Sequence, residues 1–427
     1  MSSPFASLEP LEPLMDKCVH CGFCLPTCPS YLLLGQEMDS PRGRIYSMRA
    51  GVDGRIALSP SVVRQFDTCL GCMACETACP SGVKYAPLIE QTRAVIEKQH
   101  ERPAGERWFR RLLFSLLPYP SRLRLLMWPL VLAGPFRSGA LHRVLPSRLR
   151  TLLELAPEPK LSTRGLETPE LTPAVGGVRM RAGLLTGCVQ RAFFPEVNQA
   201  TARVLAAEGC EVHAPRGQGC CGALALHAGE DETARQFARQ LIQSFERVPL
   251  DVIVVNAAGC GSAMKEYGHL LRDDPAWAER ARAFSSRVRD VTEVIAGIEA
   301  PRAVRRTMNL RVAYHDACHL SHAQGIRHEP RAVLASIPGV TVLPIAESDI
   351  CCGSAGIFNL VQPEMAAALG DRKAGHIADT SPDVVVTSNP GCILQIRAAA
   401  QRRGQPLRVL HIVELLADAL GGQMGVR

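Results

Sequence analysis

Eight of the seventeen cysteines stand in two groups with a single spacing. Cys18, Cys21, Cys24 and Cys28 run into Pro29, and Cys69, Cys72, Cys75 and Cys79 run into Pro80. Thiolates this close together are soft donors that can converge on a metal. Gaps of two residues curl the backbone around the site, so peptide N–H groups can turn toward bound sulfur, and the proline then leads the chain away.

Both groups read C-x2-C-x2-C-x3-C-P, the pattern of bacterial two-cluster ferredoxins, in which the fourth cysteine ligates the other cluster. That pattern assigns Cys18, Cys21, Cys24 and Cys79 to one 4Fe-4S cluster and Cys69, Cys72, Cys75 and Cys28 to its neighbour. Two structural zinc sites are the competing reading, but zinc does not call for a doubled frame of eight cysteines. Between the groups, the arginines of Ser40–Arg44 read as a solvated loop.

Eight more cysteines form a second system: Cys188, Cys220, Cys221 and Cys260, then Cys318, Cys351, Cys352 and Cys392. Strand-like runs precede them in the same order in both halves, namely 184–188, 210–215 and 251–256, then 312–318, 339–344 and 383–389. The landmark pairs Cys188 and Cys318, Cys221 and Cys352, and Cys260 and Cys392 lie 130, 131 and 132 positions apart. Offsets this constant mark an internal duplication. Strands alternating with helices predict parallel sheets with ligands gathered at the strands' carboxyl ends. Four thiols per half are candidate ligands for one or two further iron–sulfur clusters, the other reading being small sulfur side chains that fill a core. Cys210 is left over as a core cysteine. His315, His319 and His322 flank Cys318, and histidines satisfied in the core or lying at the surface are their commoner fate. Gly217 to Gly222 matches G-x-G-x-x-G, but its glycines belong to the cysteine motif and no dinucleotide fold surrounds it. No other flavin, nicotinamide or nucleotide motif is found.

The 427 residues are too many for one ordinary core. We read 1–100 as a ferredoxin-type domain, 101–177 as an arginine-rich helical segment with a proline-rich linker, and 178–300 and 301–427 as two modules. The fold class expected is a multidomain α+β and α/β chain, with an α-helical two-cluster ferredoxin domain followed by two repeated α/β modules. Ten arginines and no lysine lie between Glu101 and Arg150, interleaved with aromatic residues. Arg107, Arg110 and Arg111 beside Leu112, Leu113, Leu116 and Leu117 outline an amphipathic helix, suited to packing, partner docking or peripheral contact with the inner membrane. The run from Leu125 to Phe136 is too short to span a bilayer and is broken by prolines. A net charge of +7, from 48 basic against 41 acidic residues, gives no case for nucleic acid. Residues 1–17 show no export signal, so the thiols are expected to stay reduced in the cytoplasm.

The repeated arrangement around Cys-Cys-Gly resembles the cysteine-rich CCG domain of the heterodisulfide reductases. That resemblance implies non-cuboidal clusters held by five cysteines per half. Here the fifth position is Ala263 in one half and Gln395 in the other, which weighs against that cluster type and against disulfide reduction. Over residues 12–420 the layout resembles the glycolate oxidase iron–sulfur subunit, in CVHCGFCLPTCPSYLLLGQEMDSPRGRIYSM from Cys18 and CCGSAGIFNLVQPEMA from Cys351. It also resembles the related subunits of lactate utilisation and of anaerobic glycerol-3-phosphate dehydrogenase. The glycolate oxidase resemblance implies FAD-binding partner subunits that oxidise glycolate to glyoxylate. This chain would then relay electrons to a quinone or other acceptor, with no turnover alone and no catalytic residue of its own. A self-sufficient disulfide reductase and a cluster-based regulator are the readings from other classes.

Overall fold

Two serine–proline steps start the helices that frame the N-terminal domain. The Ser40 side chain accepts the Gly43 N–H (3.1 Å) at the start of helix Pro41–Val52, and Ser59 accepts the Val62 N–H (3.4 Å) at the start of helix Pro60–Asp67. Each serine satisfies an amide the helix leaves open, and proline is preset for the first turn. Helix Tyr85–Gln99 completes the domain, whose core is built on Phe5, Leu8, Met48, Phe66, Leu88, Ile89 and Ile96. The computed structural model describes residues 4–125, 145–157 and 167–421. The apolar run expected at 125–136 lies, beyond Leu125, outside the described residues.

Ser40–Arg44 is not the expected solvated loop. Pro41 opens a helix, Gly43 packs against the Glu37 backbone with no room for a side chain, and Arg44 is wholly buried.

The duplication appears as two sheets. In the first, β1 (Leu171–Thr172), β2 (Met180–Leu184), β3 (Cys210–His213), β4 (Val252–Val255) and β5 (Val288–Asp290) lie in the order β1-β3-β2-β4-β5. In the second, β6 (Leu310–Tyr314), β7 (Val340–Leu343), β8 (Val384–Thr387) and β9 (Val409–His411) lie in the order β7-β6-β8-β9. Apart from β1 every pairing is parallel, and β2 and β6 hold equivalent central places. β4 and β8 are buried along their whole length, as unbroken Val/Ile runs in a parallel sheet should be. The stretch expected as linker ends in β1, which adds an antiparallel edge to β3.

The two modules do not keep separate cores. Leu184, Val204, Leu205 and Val254 of the first share one apolar cluster with Val312, Val386, Ile396 and Leu416 of the second. His411 of the second module also donates from Nε2 to the Asn256 carbonyl of the first (2.7 Å).

The amphipathic helix of the arginine-rich segment runs Ala104–Leu116. Its Leu113 is buried with Ile357 and Leu360 of the second module, so its apolar face is taken up inside the molecule. Arg102, just before it, is nearly buried among Asp67, Glu97 and Glu106 at 2.7–2.9 Å, a network that clamps the segment to the ferredoxin domain. Among the described residues no helix is long and apolar enough to cross a membrane.

Candidate metal centres

The two cysteine loops of the ferredoxin domain share one backbone device. His20 and Gly22 in the first loop, and Gly71 and Met73 in the second, all have positive φ. Two left-handed residues per loop reverse the curl and turn successive thiols inward, and at His20 and Met73 the conformation costs about 1 kcal/mol or more. As a result Cys18, Cys21, Cys24 and Cys79 line one cavity, and Cys28, Cys69 and Cys72 line a second. Cys75 stands in the wall between them. The fourth cysteine of each group has thus crossed to the other group's cavity. The donors fit two 4Fe-4S clusters: each cavity gathers four thiols, and the Gly71 N–H points at Cys69 Sγ (3.4 Å).

The cavities differ in depth. Cys21 is exposed, and Val19 and Phe23 beside it are 68% and 64% exposed. Cys28, Cys69 and Cys72 are buried. Arg44, which the sequence pattern alone would leave in solvent, serves the deep cavity. Its Nε donates to the Gln65 carbonyl (2.6 Å) and its Nη2 to Ser30 Oγ and Thr68 Oγ1 (both 3.0 Å). Burial alone would raise the Cys69 thiol, but the Arg44 and Arg93 guanidiniums beside it hold it below its ordinary value. Together they are built-in counter-charge for thiolate ligands. Only the pattern S-P-R-G-R, with proline starting a helix three residues before Arg44, hinted that Arg44 turns inward.

In the modules the eight remaining candidate ligands form two sets of four. Cys188 Sγ lies 3.6 Å from Cys220 Sγ, and Cys318 Sγ lies 3.9 Å from Cys351 Sγ. Cys221 interacts with Cys260, and Cys352 with Cys392. Cys188 and Cys318 follow β2 and β6, the Cys220–Cys221 and Cys351–Cys352 pairs follow β3 and β7, and Cys260 and Cys392 follow β4 and β8; only Cys260 is less than fully buried. Gly222 and Gly353 explain the glycine after each cysteine pair. Their φ values are +81° and +90°, and an added Cβ would meet the Ala234 or Ala366 carbonyl oxygen at 3.1 or 2.7 Å. The Gly222 N–H in turn donates to Cys220 Sγ (3.4 Å).

The fifth positions supply no ligand. Ala263 has no donor atom, and Gln395 is engaged, donating to the Ala366 carbonyl (2.7 Å). His322 joins domains: its Nε2 donates to the Asp349 carbonyl (2.9 Å) and its Nδ1 accepts from Thr77 Oγ1 (3.0 Å). Cys210 is buried in β3 within the shared core.

A helical domain with two adjoining four-thiol cavities, followed by two thiol-lined parallel-sheet modules, defines an iron–sulfur protein. Residues 14–83 match the 4Fe-4S dicluster domain family, and residues 182–265 and 312–397 each match the cysteine-rich domain family. The chain is 38% identical over 424 residues to a probable glycolate oxidase iron-sulfur subunit of Bacillus subtilis, covering 95% of this chain and 94% of that one. It is 34% identical over 412 residues to the glycolate oxidase iron-sulfur subunit of Escherichia coli, covering 96% and 95%. A lactate utilization protein A of an Exiguobacterium is 31% identical over 56% of this chain and 97% of its own. A hypothetical protein from Helicobacter pylori shares the fold at a TM-score of 0.54 and 7% identity, over 86% of this chain and 65% of that one. The chain belongs to the family of glycolate oxidase iron–sulfur subunits.

Proposed function

We propose that this chain is the electron-transfer subunit of a flavin-dependent glycolate dehydrogenase. FAD-binding partner subunits oxidise glycolate to glyoxylate, and this chain passes the electrons to a quinone or other acceptor in or beside the cytoplasm. The observation that carries the proposal is the match along nearly the whole of both chains to glycolate oxidase iron-sulfur subunits, in a protein that brings eight thiols around two adjoining cavities. A bound 4Fe-4S cluster takes and gives single electrons, the chemistry needed downstream of a flavin that receives two.

The chain's own residues divide the remaining work. Cys18, Cys21, Cys24 and Cys79 hold the outer cluster, and Cys69, Cys72, Cys75 and Cys28 hold the inner one. Exposed Cys21, with Val19 and Phe23, forms the rim where a redox partner comes near. Arg44 and Arg93 favour the charged form of the Cys69 thiol in an environment that otherwise favours the neutral form. Cys188, Cys220, Cys221 and Cys260 hold a further cluster in the first module, and Cys318, Cys351, Cys352 and Cys392 another in the second. We keep the division into a ferredoxin-type domain at 1–100, an arginine-rich segment at 101–177 and modules at 178–300 and 301–427 as part of the proposal, with β1 added to the first module. Catalysis of substrate oxidation belongs to the partner subunits.

The test is anaerobic purification of the complex through a tag on this chain, followed by dye reduction with glycolate, D-lactate and glycerol 3-phosphate. Fastest turnover with glycolate and a co-purifying flavoprotein is the expected result. Turnover by the chain alone, or no flavoprotein bound, would overturn the proposal. The likeness to a lactate utilization protein favours one second reading, an equivalent subunit serving D-lactate, and the same assay separates the two.

A further inference from the structure

We infer that His315 is a ligand of the metal centre in the second module, so that this centre is held by thiolates and one imidazole while the first module's centre is held by thiolates alone. The inference rests on the proposal that the modules bind clusters.

His315 directly follows β6, and its backbone N–H donates to the Val386 carbonyl of β8 (2.9 Å). That bond fixes it between the carboxyl ends of the two central strands, where the module's thiols gather. The residue is wholly buried, and its ring meets the Cys392 thiol but no oxygen or nitrogen partner among the described residues. A neutral imidazole carries one donor and one acceptor, and leaving either of them unmet in a buried place is destabilising. One ring nitrogen of His315 and the Sγ atoms of Cys352 and Cys392 all lie within 4.8 Å of one another. The thiol set continues from there through Cys351 to Cys318. A buried imidazole facing two buried thiols is a donor set for a transition metal, and coordination removes the unmet need of the ring.

The first module is the internal control. Its equivalent position is Leu185, also following the central strand and packed in an apolar cluster with Cys188, Cys220 and Cys221. Four cysteines and a left-handed glycine recur in both modules, while this position beside the thiols changes from leucine to histidine. His319 is not equivalent, because its Nδ1 already meets Cys318 Sγ at 3.5 Å. With Gln395 engaged elsewhere, His315 supplies the extra donor that the second module otherwise lacks. A neutral imidazole adds this donor without adding negative charge, whereas a thiolate in its place would make the cluster more negative and lower its reduction potential.

The deciding experiment uses the whole complex, purified anaerobically, with histidine alone labelled with 15N. Pulsed EPR of the reduced protein should show a histidine-nitrogen coupling in the wild type. The coupling should vanish in His315→Leu, which copies Leu185, while the ferredoxin-domain signals stay. His315→Cys should keep the iron of that centre and shift its potential downward. With the centre present, absence of any histidine coupling in the wild type overturns the inference, whether or not the variants fold. Coupling that survives His315→Leu does the same. Iron analysis of Cys352→Ser separates failure of the ligand assignment from failure of cluster binding: iron equal to wild type would mean the second module binds no cluster, sinking the inference while leaving the ferredoxin-domain function intact.

Discussion

Cys72 of the ferredoxin domain and Cys351 of the second module are walls of one buried apolar cluster, together with Leu70, Ala74, Cys318 and Phe358. Burial first, and then the nearby Cys351, hold the Cys72 thiol well above its ordinary value. The cysteines of the first module lie in a different cluster. The inner ferredoxin site therefore has the second module as its electrical neighbour. We expect the reduced protein to show spin coupling between these two centres by EPR, and Cys352→Ser to remove it. An unchanged spectrum in a variant that has lost the iron of one centre would refute this adjacency.

Arg44 gives a prediction about both stability and charge. Removing one partner from a buried, hydrogen-bonded charge network typically destabilises by about 3–5 kcal/mol. Arg44→Met should show a loss of that order in denaturant unfolding, since Thr68, Ser30 and the Gln65 carbonyl lose their donor and Asp39 its counter-charge. Arg44→Lys should recover only part, because an ammonium cannot reproduce the guanidinium fork. With fewer positive charges beside Cys69, the inner centre should also be harder to reduce. Redox titration showing no shift in a folded Arg44→Met protein would remove Arg44 from that role.

How far the sequence could be read follows from which interactions are local. The crossed cysteine frame and six of the nine strands among the described residues rest on spacing and on short apolar runs, which survive in one dimension. Short strands did not: β1, β5 and β9 have two or three residues each, too few for a period to show. The capping box of Asp290 with Glu293 marks the end of β5. Arg44 was misread because its partners are 14 to 24 residues away, and an arginine's sequence neighbours do not show that distant oxygens will enclose it. Likewise, apolar strands in both modules look alike whether their cores are separate or shared. His315 was weighed as a core-satisfied or surface histidine, and the structure buries it against the Cys392 thiol with no oxygen or nitrogen partner for its ring among the described residues.

Gly353 and Gly35 make a matched pair. Both have positive φ, but a Cβ at Gly353 would lie 2.7 Å from the Ala366 carbonyl oxygen, whereas at Gly35 it meets open space. Gly35→Ala should cost only the left-handed conformation, about 1–2 kcal/mol. Gly353→Ala adds a collision with helix backbone, so its urea midpoint should fall further, with loss of iron from the second module. Equal midpoints for the two variants would show that the backbone beside Cys352 yields freely.

His411 makes the fold sensitive to mild acid. It caps helix Ile412–Ala419, with Nδ1 accepting the Val413 N–H (3.2 Å) while Nε2 donates to the Asn256 carbonyl across the module boundary. The cap needs the neutral ring, because Nδ1 accepts only while it is unprotonated, and burial holds the pKa down at about 4, against 6.5 in an open chain. The unfolded chain thus binds a proton that the folded one refuses. Stability from this group is complete above pH 6.5 and is lost as pH falls toward 4, by about 3 kcal/mol in all. His411→Asn keeps a capping oxygen but cannot take up the proton. Its stability should therefore decline less than that of wild type between about pH 6.5 and 4.5 in parallel urea titrations. Parallel curves for the two proteins would mean that protonation of His411 is not what weakens the contact between the modules.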